Sequence, residues 1–433
     1  MLKRFLRFLF FLIIIVAAAA GMGLLVGDYI YNSQRFPPNC FLENIDISLL
    51  TPREVVLKLR GIDVDKGCSS NIELRFGDKM YIFKPSELGL YIQPVNSTIR
   101  AFLLTYERSY LKSLLKKTRK SVTKAPLTLG IEEEKLEKVL KEIAQEIDIP
   151  SKEAEFYIKG YGEYVIKNEK IGRSLKIKET IIALEAALKN YKRSVDLVVT
   201  PSLPRVFAKN LKAHPPIWLI SKFTTRYGHH DDPNRIHNIK LASKKIDNTI
   251  ITSGEIYSLL QAIGDITMEK GYKEATVIVN GELVPQYGGG VCQIATTLYN
   301  AAMLADLDIA KRRNHAIYFS IYPLGRDAMI YAEETDLKIK NSTLYPLLIK
   351  SYSTEKGLTF KIFGTKSEKE VSFSKPIIYA SGKVIKREGN GIPSEEVFPF
   401  NKPFSTKITK YVKRKGKVIS TEIIRSYYRS HSE

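Results

Sequence analysis

The strongest constraint on this chain lies at its start. Lys3, Arg4 and Arg7 precede Phe8–Gly27, a run of twenty residues without a charge and almost all apolar, and Asp28 is the first charge after it. At about 1.5 Å per residue, such a helix spans roughly 30 Å, the thickness of a bilayer's hydrocarbon core. With the positive residues ahead of the span, the N-terminus is expected to stay in the cytoplasm and the remainder to cross. A cleaved signal peptide is the competing reading, since Ala17 to Ala20 offer small residues to a protease. The apolar run exceeds the ~7–15 residues of an ordinary signal core, which favours an uncleaved anchor. The expected product is a single-pass chain with its bulk outside the cytoplasm.

Beyond the anchor, about 400 residues leave room for two or three domains of about 100–200 residues each. Hydrophobic content of 44% and charge content of 26% are ordinary for a globular protein. Basic residues number 67 against 46 acidic, a net charge of +21. Such a balance suits a polyanion nearby, or else tolerates self-repulsion. Across a membrane, nucleic acid is not an expected partner; anionic lipid headgroups or anionic wall polymers are, with a Lys-rich solubilising surface as the alternative. The chain has three cysteines, Cys40, Cys68 and Cys292. An oxidising exterior permits a Cys40–Cys68 disulfide and leaves Cys292 over.

Tyr29 to Cys40, with Pro37 and Pro38, reads as a linker. A helix follows from Thr51 to about Leu59: Thr51 suits the N-cap, Pro52 the first turn, Glu54 a capping box, and Gly61 the end. An internal similarity comes next. Ile72–Phe76 and Met80–Phe83 form a hairpin around Gly77-Asp78, followed by Leu88-Gly89 and a helix from about Ser97. Later, Phe156–Lys159 and Tyr164–Ile166 form a second hairpin around Gly160-Tyr161-Gly162, followed by Ile171-Gly172 and a helix from about Lys178 to Tyr191. Between the copies, Leu136, Val139, Leu140, Ile143 and Ile147 make a 3.6-period stripe, and Val195–Val199 reads as a closing strand. Arg108, Lys112, Lys116, Lys117, Arg119, Lys120 and Lys124 form a basic run, either a solvated helix face or a polyanion-binding patch.

A further domain begins near Val206–Ile220. It is expected to hold a helix over Asn238–Ile246, strands at Thr276–Val279 and Leu283–Val284 around Gly281, and a helix from Cys292 to about Leu304. Strands are expected at Tyr318–Ile321, Ala328–Ala332, Leu337–Ile339 and Leu347–Ser351, and the last 80 residues read as β with short turns at Gly382-Lys383 and Lys415-Gly416-Lys417. The expected boundaries are 1–34 for the basic tip and anchor, 35–203 for the duplicated domain, 204–352 for the next domain and 353–433 for a small β-rich C-terminal segment. The fold class is α+β.

The stretch most able to carry chemistry is Tyr287-Gly288-Gly289-Gly290-Val291-Cys292-Gln293. Glycines let the backbone turn sharply and approach a neighbour closely. At a helix start, unpaired N–H groups and the helix dipole favour a thiolate at Cys292 and can hold an oxyanion. His315 heads an expected strand 23 residues later, and Asp327 lies on the next one. A nucleophilic cysteine needs a base, and the base an orienting carboxylate. Cys, His, Asp in this order matches papain-like and transglutaminase-like sites. Gln293 is a candidate oxyanion donor, and Gly288, Gly289, Gly290 and Thr296 candidate binding residues around the turn and helix start. Equally, the cysteine can simply pack, the glycines can serve a tight contact, and Asp327 can pair with Arg326. Spacing does not show whether the three residues meet. In Gly228-His229-His230-Asp231-Asp232 the adjacent histidines point differently on any regular element, so a solvated loop is expected rather than a metal site. His214, His237 and His431 read as structural. No P-loop, dinucleotide fingerprint or zinc motif is present, so no cofactor and no metal are expected.

These residues carry a resemblance. From about Ile220 to Ser351 the chain resembles the VanW-like domain, named for an accessory protein of vancomycin-resistance operons. The resemblance runs through Phe223-Thr224-Thr225, Asn234-Arg235-Ile236-His237-Asn238-Ile239, Ser253–Ser258, Gly271-Tyr272, Asn280-Gly281, Gly288–Gln293, Thr296–Ala301, His315, Pro323–Ala328 and Asn341. Ala295 stands where the family often has serine. Cys40–Leu203 resembles the peptidoglycan-binding domain that accompanies this family and the L,D-transpeptidases of the cell wall. The resemblance implies a bacterial envelope protein with peptidoglycan or another anionic wall polymer as partner, and supplies no reaction. Three readings remain at this point: a wall-binding accessory protein, a cysteine-dependent acyl transferase or amidase on wall peptides, and a lipid or polyanion sensor resting on charge alone.

Overall fold

A computed structural model of the chain describes residues 2–32, 34–105, 122–160, 162–228, 232–279, 282–331, 335–380, 383–385 and 402–430. Most of the basic run (Arg108 to Lys120), Tyr161, the His229-His230-Asp231 stretch, Asn280-Gly281, Gly382 and His431 lie outside the described residues. Helix and strand occupy similar shares, 33% and 35%, and the class is α+β as expected. The chain divides into two compact units, residues 1–151 with 171–203, and residues 152–170 with 204–433.

The first unit begins with the helix Leu2–Asn32. Within it, Arg7–Gly27 is long and apolar enough to cross a membrane, and none of it is buried. Next, Pro52–Arg60 is a helix whose start is set by local chemistry. The Thr51 hydroxyl accepts from the Glu54 N–H while the Glu54 carboxylate accepts from the Thr51 N–H, Pro52 fills the first turn, and Gly61 follows the last. Glu133–Ile147 buries Leu136, Leu140, Ile143 and Ile147 along one stripe, as its period requires. Four small sheets share this core. Cys40–Leu42 pairs with Ile45–Asp46 and, in parallel, with Thr123–Ala125; Ile72–Phe76 pairs with Lys79–Phe83 and, in parallel, with Ser194–Asp196. Leu90–Ile92 pairs with Leu129–Ile131, and Gly172–Leu175 with Val199–Ser202. Cys40 and Cys68 are both buried in this core, and no disulfide joins them, where an oxidising compartment permits one. Neighbouring backbone is secured by hydrogen bonds instead: Asn44 donates to the Cys68 carbonyl at 2.9 Å, and the Cys40 N–H to Ser48 at 3.1 Å.

The two segments read as copies each run hairpin, short strand, helix. The first copy is Ile72–Phe76 and Lys79–Phe83, Leu90–Ile92, then Pro94–Thr105; the second is Glu155–Gly160 and Glu163–Lys167, Gly172–Leu175, then Ile177–Lys189. The second hairpin belongs to the second unit. There Phe156 is wholly buried among Val206, Leu211, Ile250 and Leu348, and Glu153 accepts from the Val206 N–H at 2.6 Å.

The second unit is built on an antiparallel sheet in the order Trp218–Arg226, Gly357–Gly364, Leu347–Ser353, Thr249–Ile251. The expected boundary at 352/353 falls inside the strand Leu347–Ser353, which pairs with Gly357–Gly364. Helices Pro233–Ile246 and Val291–Leu304 share the core of this sheet. A second sheet contains Lys369–Phe373, Phe404–Arg414, Ile377–Ala380 and Lys383–Ile385, with Lys417–Tyr428 on the other edge of Phe404–Arg414. Among the described residues, the strands expected at Tyr318–Ile321 and Ala328–Ala332 are not formed: residues 312–330 run as irregular chain, Tyr331 makes only an isolated bridge to Thr335, and Ala332 lies outside the described residues. Pro323 and a left-handed Gly325 (φ +76°) break any ladder there. The segment's backbone groups are taken instead by side chains of Thr296, Asn300 and Arg312.

Candidate functional site

Val291–Leu304 is buried almost all round, so its polar side chains must find partners inside the protein. Thr296 donates to the Ala328 carbonyl at 2.8 Å and accepts from the Ala328 N–H at 3.0 Å, and Asn300 donates to the Arg326 carbonyl at 2.7 Å. One helix face thus grips the irregular chain on both sides of Asp327. Thr296 is a wholly buried clamp and not a lining residue, which corrects the expectation that it forms part of a binding surface.

The glycine turn before this helix is required by space as well as by conformation. Gly288 and Gly290 have positive φ, and a Cβ at Gly289 would come within 2.7 Å of the Ala275 carbonyl oxygen. Asn238, buried on the neighbouring helix, donates to the Gly289 carbonyl at 3.2 Å and holds the turn. Cys292 is the second residue of the helix, where its N–H has no helical carbonyl to meet.

Cys292 is half-buried and lines the same cleft as His315, whose ring is near enough to act on the thiol. As a thiol it also donates to the Ile330 carbonyl at 3.3 Å. His315 Nδ1 lies 2.7 Å from Asp327 Oδ2, which also accepts from the His315 backbone N–H at 2.7 Å. With Nδ1 engaged by the carboxylate, Nε2 is the nitrogen left to face the thiol. Tyr322 stacks on the His315 ring at 5.6 Å between centroids, and Phe319 meets it edge-on at 5.1 Å. His315 and Asp327 are therefore hydrogen-bonded to each other, and Cys292 lies on the same cleft as His315, close enough for each to shift the other's titration. Neither His315 nor Asp327 stands on a strand, and Asp327 pairs with His315 and Arg312, not with its neighbour Arg326.

Burial by itself would push the Cys292 thiol up; the hydrogen bond and charge of His315 outweigh it and hold the thiol below its ordinary value. Burial would likewise lower His315, but the hydrogen bonds to Asp327 and Cys292 push it up to about 9. Burial would raise Asp327, but His315 and then Tyr428 keep its carboxyl below the usual range. The set favours a thiolate–imidazolium pair backed by a carboxylate.

Gln293 does not reach toward an oxyanion. Its amide donates to Thr225 Oγ1 at 2.9 Å and to the Arg226 carbonyl at 3.0 Å, and its oxygen accepts from Arg235 at 2.7 Å. Both amide hydrogens are engaged, so the backbone N–H of Cys292 is the better placed donor. Cys292 and His315 open onto a cleft of about 640 Å³ with Arg235, Gly288 and Gly290 on one part of its wall and Phe319, Tyr322 and Tyr331 on another.

Two contributors were missed in the sequence. Arg312 donates to the Asp327 carbonyl at 2.8 Å and to Ser426 at 2.9 Å. Tyr428, in the last strand, donates to Asp327 Oδ1 at 2.5 Å. Neither lies in a recognisable motif with the triad; an aromatic hydroxyl in a strand of alternating burial was the only available signal. Among the described residues, no group of three or more His, Cys, Asp or Glu side chains is arranged to hold a metal ion.

Comparison with known proteins fits this geometry. Residues 234–363 match the family described as "VanW like protein", and residues 81–196 match one described as "Putative peptidoglycan binding domain". The chain thus carries a VanW-like domain behind a domain of the peptidoglycan-binding kind, and both point to a role associated with the cell wall. It is 38% identical over 141 residues to the uncharacterised protein YoaR of Bacillus subtilis (strain 168), covering 33% of this chain and 46% of that one. It is 30% identical over 115 residues to the vancomycin B-type resistance protein VanW of Enterococcus faecalis (strain ATCC 700802 / V583), covering 25% of this chain and 42% of that one. The chain spans less than half the length of either relative. No solved structure matches it.

Proposed function

We propose that this is a membrane-anchored cell-envelope protein that binds peptidoglycan or another anionic wall polymer, and that its VanW-like domain is a cysteine-dependent acyl transferase or amidase acting on wall peptides. The observation that carries the catalytic half is the line Cys292–His315–Asp327 opening onto a cleft. The apolar span after Lys3, Arg4 and Arg7 supports the anchor, and the family match over residues 81–196 supports the wall-binding half.

In the first step the Cys292 thiolate adds to a peptide carbonyl, and the oxyanion is met by the N–H at the helix start. The C–N bond then breaks, the imidazolium of His315 gives its proton to the departing amine, and a thioester remains on Cys292. In the second step neutral His315 takes a proton from water or from an acceptor amine, which attacks the thioester and restores the thiol. Water gives hydrolysis, and an amine gives transfer. Asp327 holds the ring and offsets its charge throughout.

The sign of the pH dependence follows from the raised His315. The stabilisation it draws from its charged form is complete below its ordinary value of about 6.5 and is lost as pH rises through about 9. Turnover is expected to fall there for want of an acid, while alkylation of the thiolate is not.

The test uses full-length protein in detergent. Iodoacetamide labelling of Cys292 at pH 6, read by mass spectrometry, is expected to slow about a hundredfold in His315→Ala. Cys292→Ala is expected to abolish thioester formation on purified wall peptides while retaining wall pull-down. Labelling that is indifferent to His315 sinks the catalytic reading; loss of pull-down in neither high salt nor excess soluble peptidoglycan sinks the wall-binding one.

A further inference from the structure

The C-terminal hairpin Phe404–Arg414 and Lys417–Tyr428 lies beyond the last residue of either family match. It nevertheless ends inside the candidate site. The last strand alternates buried and exposed positions from Ile424 onward, so Ile424, Ser426 and Tyr428 face inward together. Its end runs beside residues 312–316: Arg312 and Asn314 donate to the Arg425 and Tyr427 carbonyls, and the Arg429 N–H to the Ala316 carbonyl at 2.7 Å.

The turn carrying Asp327 is shaped to receive this hairpin. Gly325 has positive φ, and a Cβ there would come within 2.6 Å of Thr406 Oγ1 and 2.9 Å of Ile408 Cδ1. Ser426 donates to the Gly325 carbonyl at 3.0 Å. Lys410, buried on the facing strand, pairs with Asp306 at 2.9 Å just past the end of the cysteine helix. The hairpin is thus attached both to that helix and to the Asp327 turn.

Resting on the catalytic reading above, we infer that Tyr428 is a positioning residue of this site and that the C-terminal hairpin is one of its structural components. The Tyr428 hydroxyl accepts from the Gly325 N–H at 3.1 Å and donates to Asp327 Oδ1 at 2.5 Å. It therefore ties the carboxylate to the backbone of its own turn. This pins Oδ1 and leaves Oδ2 aimed at the His315 ring. Arg312, at 3.5 Å from Oδ1, is the other contact on that oxygen. Without the hydroxyl, a buried carboxylate oxygen keeps only this long contact and is under-satisfied, so the group rotates toward other donors or takes a proton. His315 then loses the anion that supports its charged form, and the Cys292 thiolate loses its partner.

The experiment follows iodoacetamide labelling of Cys292 against pH in full-length protein, with melting curves beside it. Tyr428→Phe is expected to raise the apparent thiol pKa by about one unit, seen as about tenfold slower labelling at pH 6. Ser426→Ala, which loosens the same strand end, is expected to shift it less in the same direction and decides the matter if Tyr428→Phe does not fold. Thr421→Val, exposed on the same hairpin, is expected to leave the profile in place. Profiles of Tyr428→Phe or Ser426→Ala that superpose on the parent while His315→Ala slows labelling overturn the inference and leave the catalytic reading standing. A profile unmoved by His315→Ala overturns both.

Discussion

Cys68 in the first unit and Cys292 in the second are chemically the same group. Cys68 follows the short helix Val64–Gly67, 6% exposed, in the core that also holds Cys40. Burial and then the Glu43 carboxylate push its thiol up to about 11, with Arg193 acting weakly the other way. Burial penalises the Cys292 thiolate as well, but the neighbouring His315 outweighs it and the thiol is drawn down. Burial acts in the same direction on both thiols, and the sign of the nearest charge sets them apart.

The comparison can be broken most directly by labelling both thiols in one experiment. At pH 7 a thiol near 11 is about one part in ten thousand thiolate, so Cys292, held below its ordinary value, is expected to react at least about a hundredfold faster than Cys68 in folded protein. Comparable rates, read by mass spectrometry on the same digest, would erase the distinction.

A second change attacks the inert side. Glu43 accepts from Arg193 at 2.5 Å, from the Leu127 N–H at 3.1 Å and from the Ser69 N–H at 2.7 Å. Glu43→Ala is expected to cost about 3–5 kcal/mol in urea unfolding, because it leaves Arg193 buried without its carboxylate. It also removes the charge that raises Cys68, so Cys68 labelling should quicken while Cys292 labelling stays as it was. An unchanged unfolding midpoint would contradict this account.

The smallest of the three changes sharpens the reactive side. Gly289→Ala would press a methyl group onto the Ala275 carbonyl. It is expected to cost about 1–3 kcal/mol through overpacking and to slow Cys292 labelling by displacing the helix start. Cys68 should not respond. Equal slowing of both thiols would point to general loosening.

Much of the first unit was legible because its signals are local. The Thr51–Glu54 capping box, the Leu136–Ile147 stripe and the hairpin at Gly77-Asp78 each lie within a few residues, and each formed where expected. The helix from Cys292 was legible in the same way. The irregular course of residues 312–330 was not, because apolar residues that look like strands there pack individually: Tyr318 meets Phe404 and Tyr428, and Ala328 and Ile330 are buried in the core. The role of Gln293 was misread for a related reason. Its neighbours in sequence suggested an oxyanion donor, whereas Thr225, Arg226 and Arg235, some 60 residues earlier, engage its amide.

The sequence by itself determined the long apolar helix at the start, the α+β class, the glycine turn and the choice of Cys292, His315 and Asp327 as candidates. Those follow from composition, period and motif, which record how each stretch satisfies its own backbone and buries one face. Only the tertiary structure decided that the three residues come together, that the second hairpin joins the second unit, and that Tyr428 reaches Asp327 across 101 residues of chain. Side-chain hydrogen bonds over such separations leave no periodic trace in a sequence, because their geometry is set by the packing of whole elements.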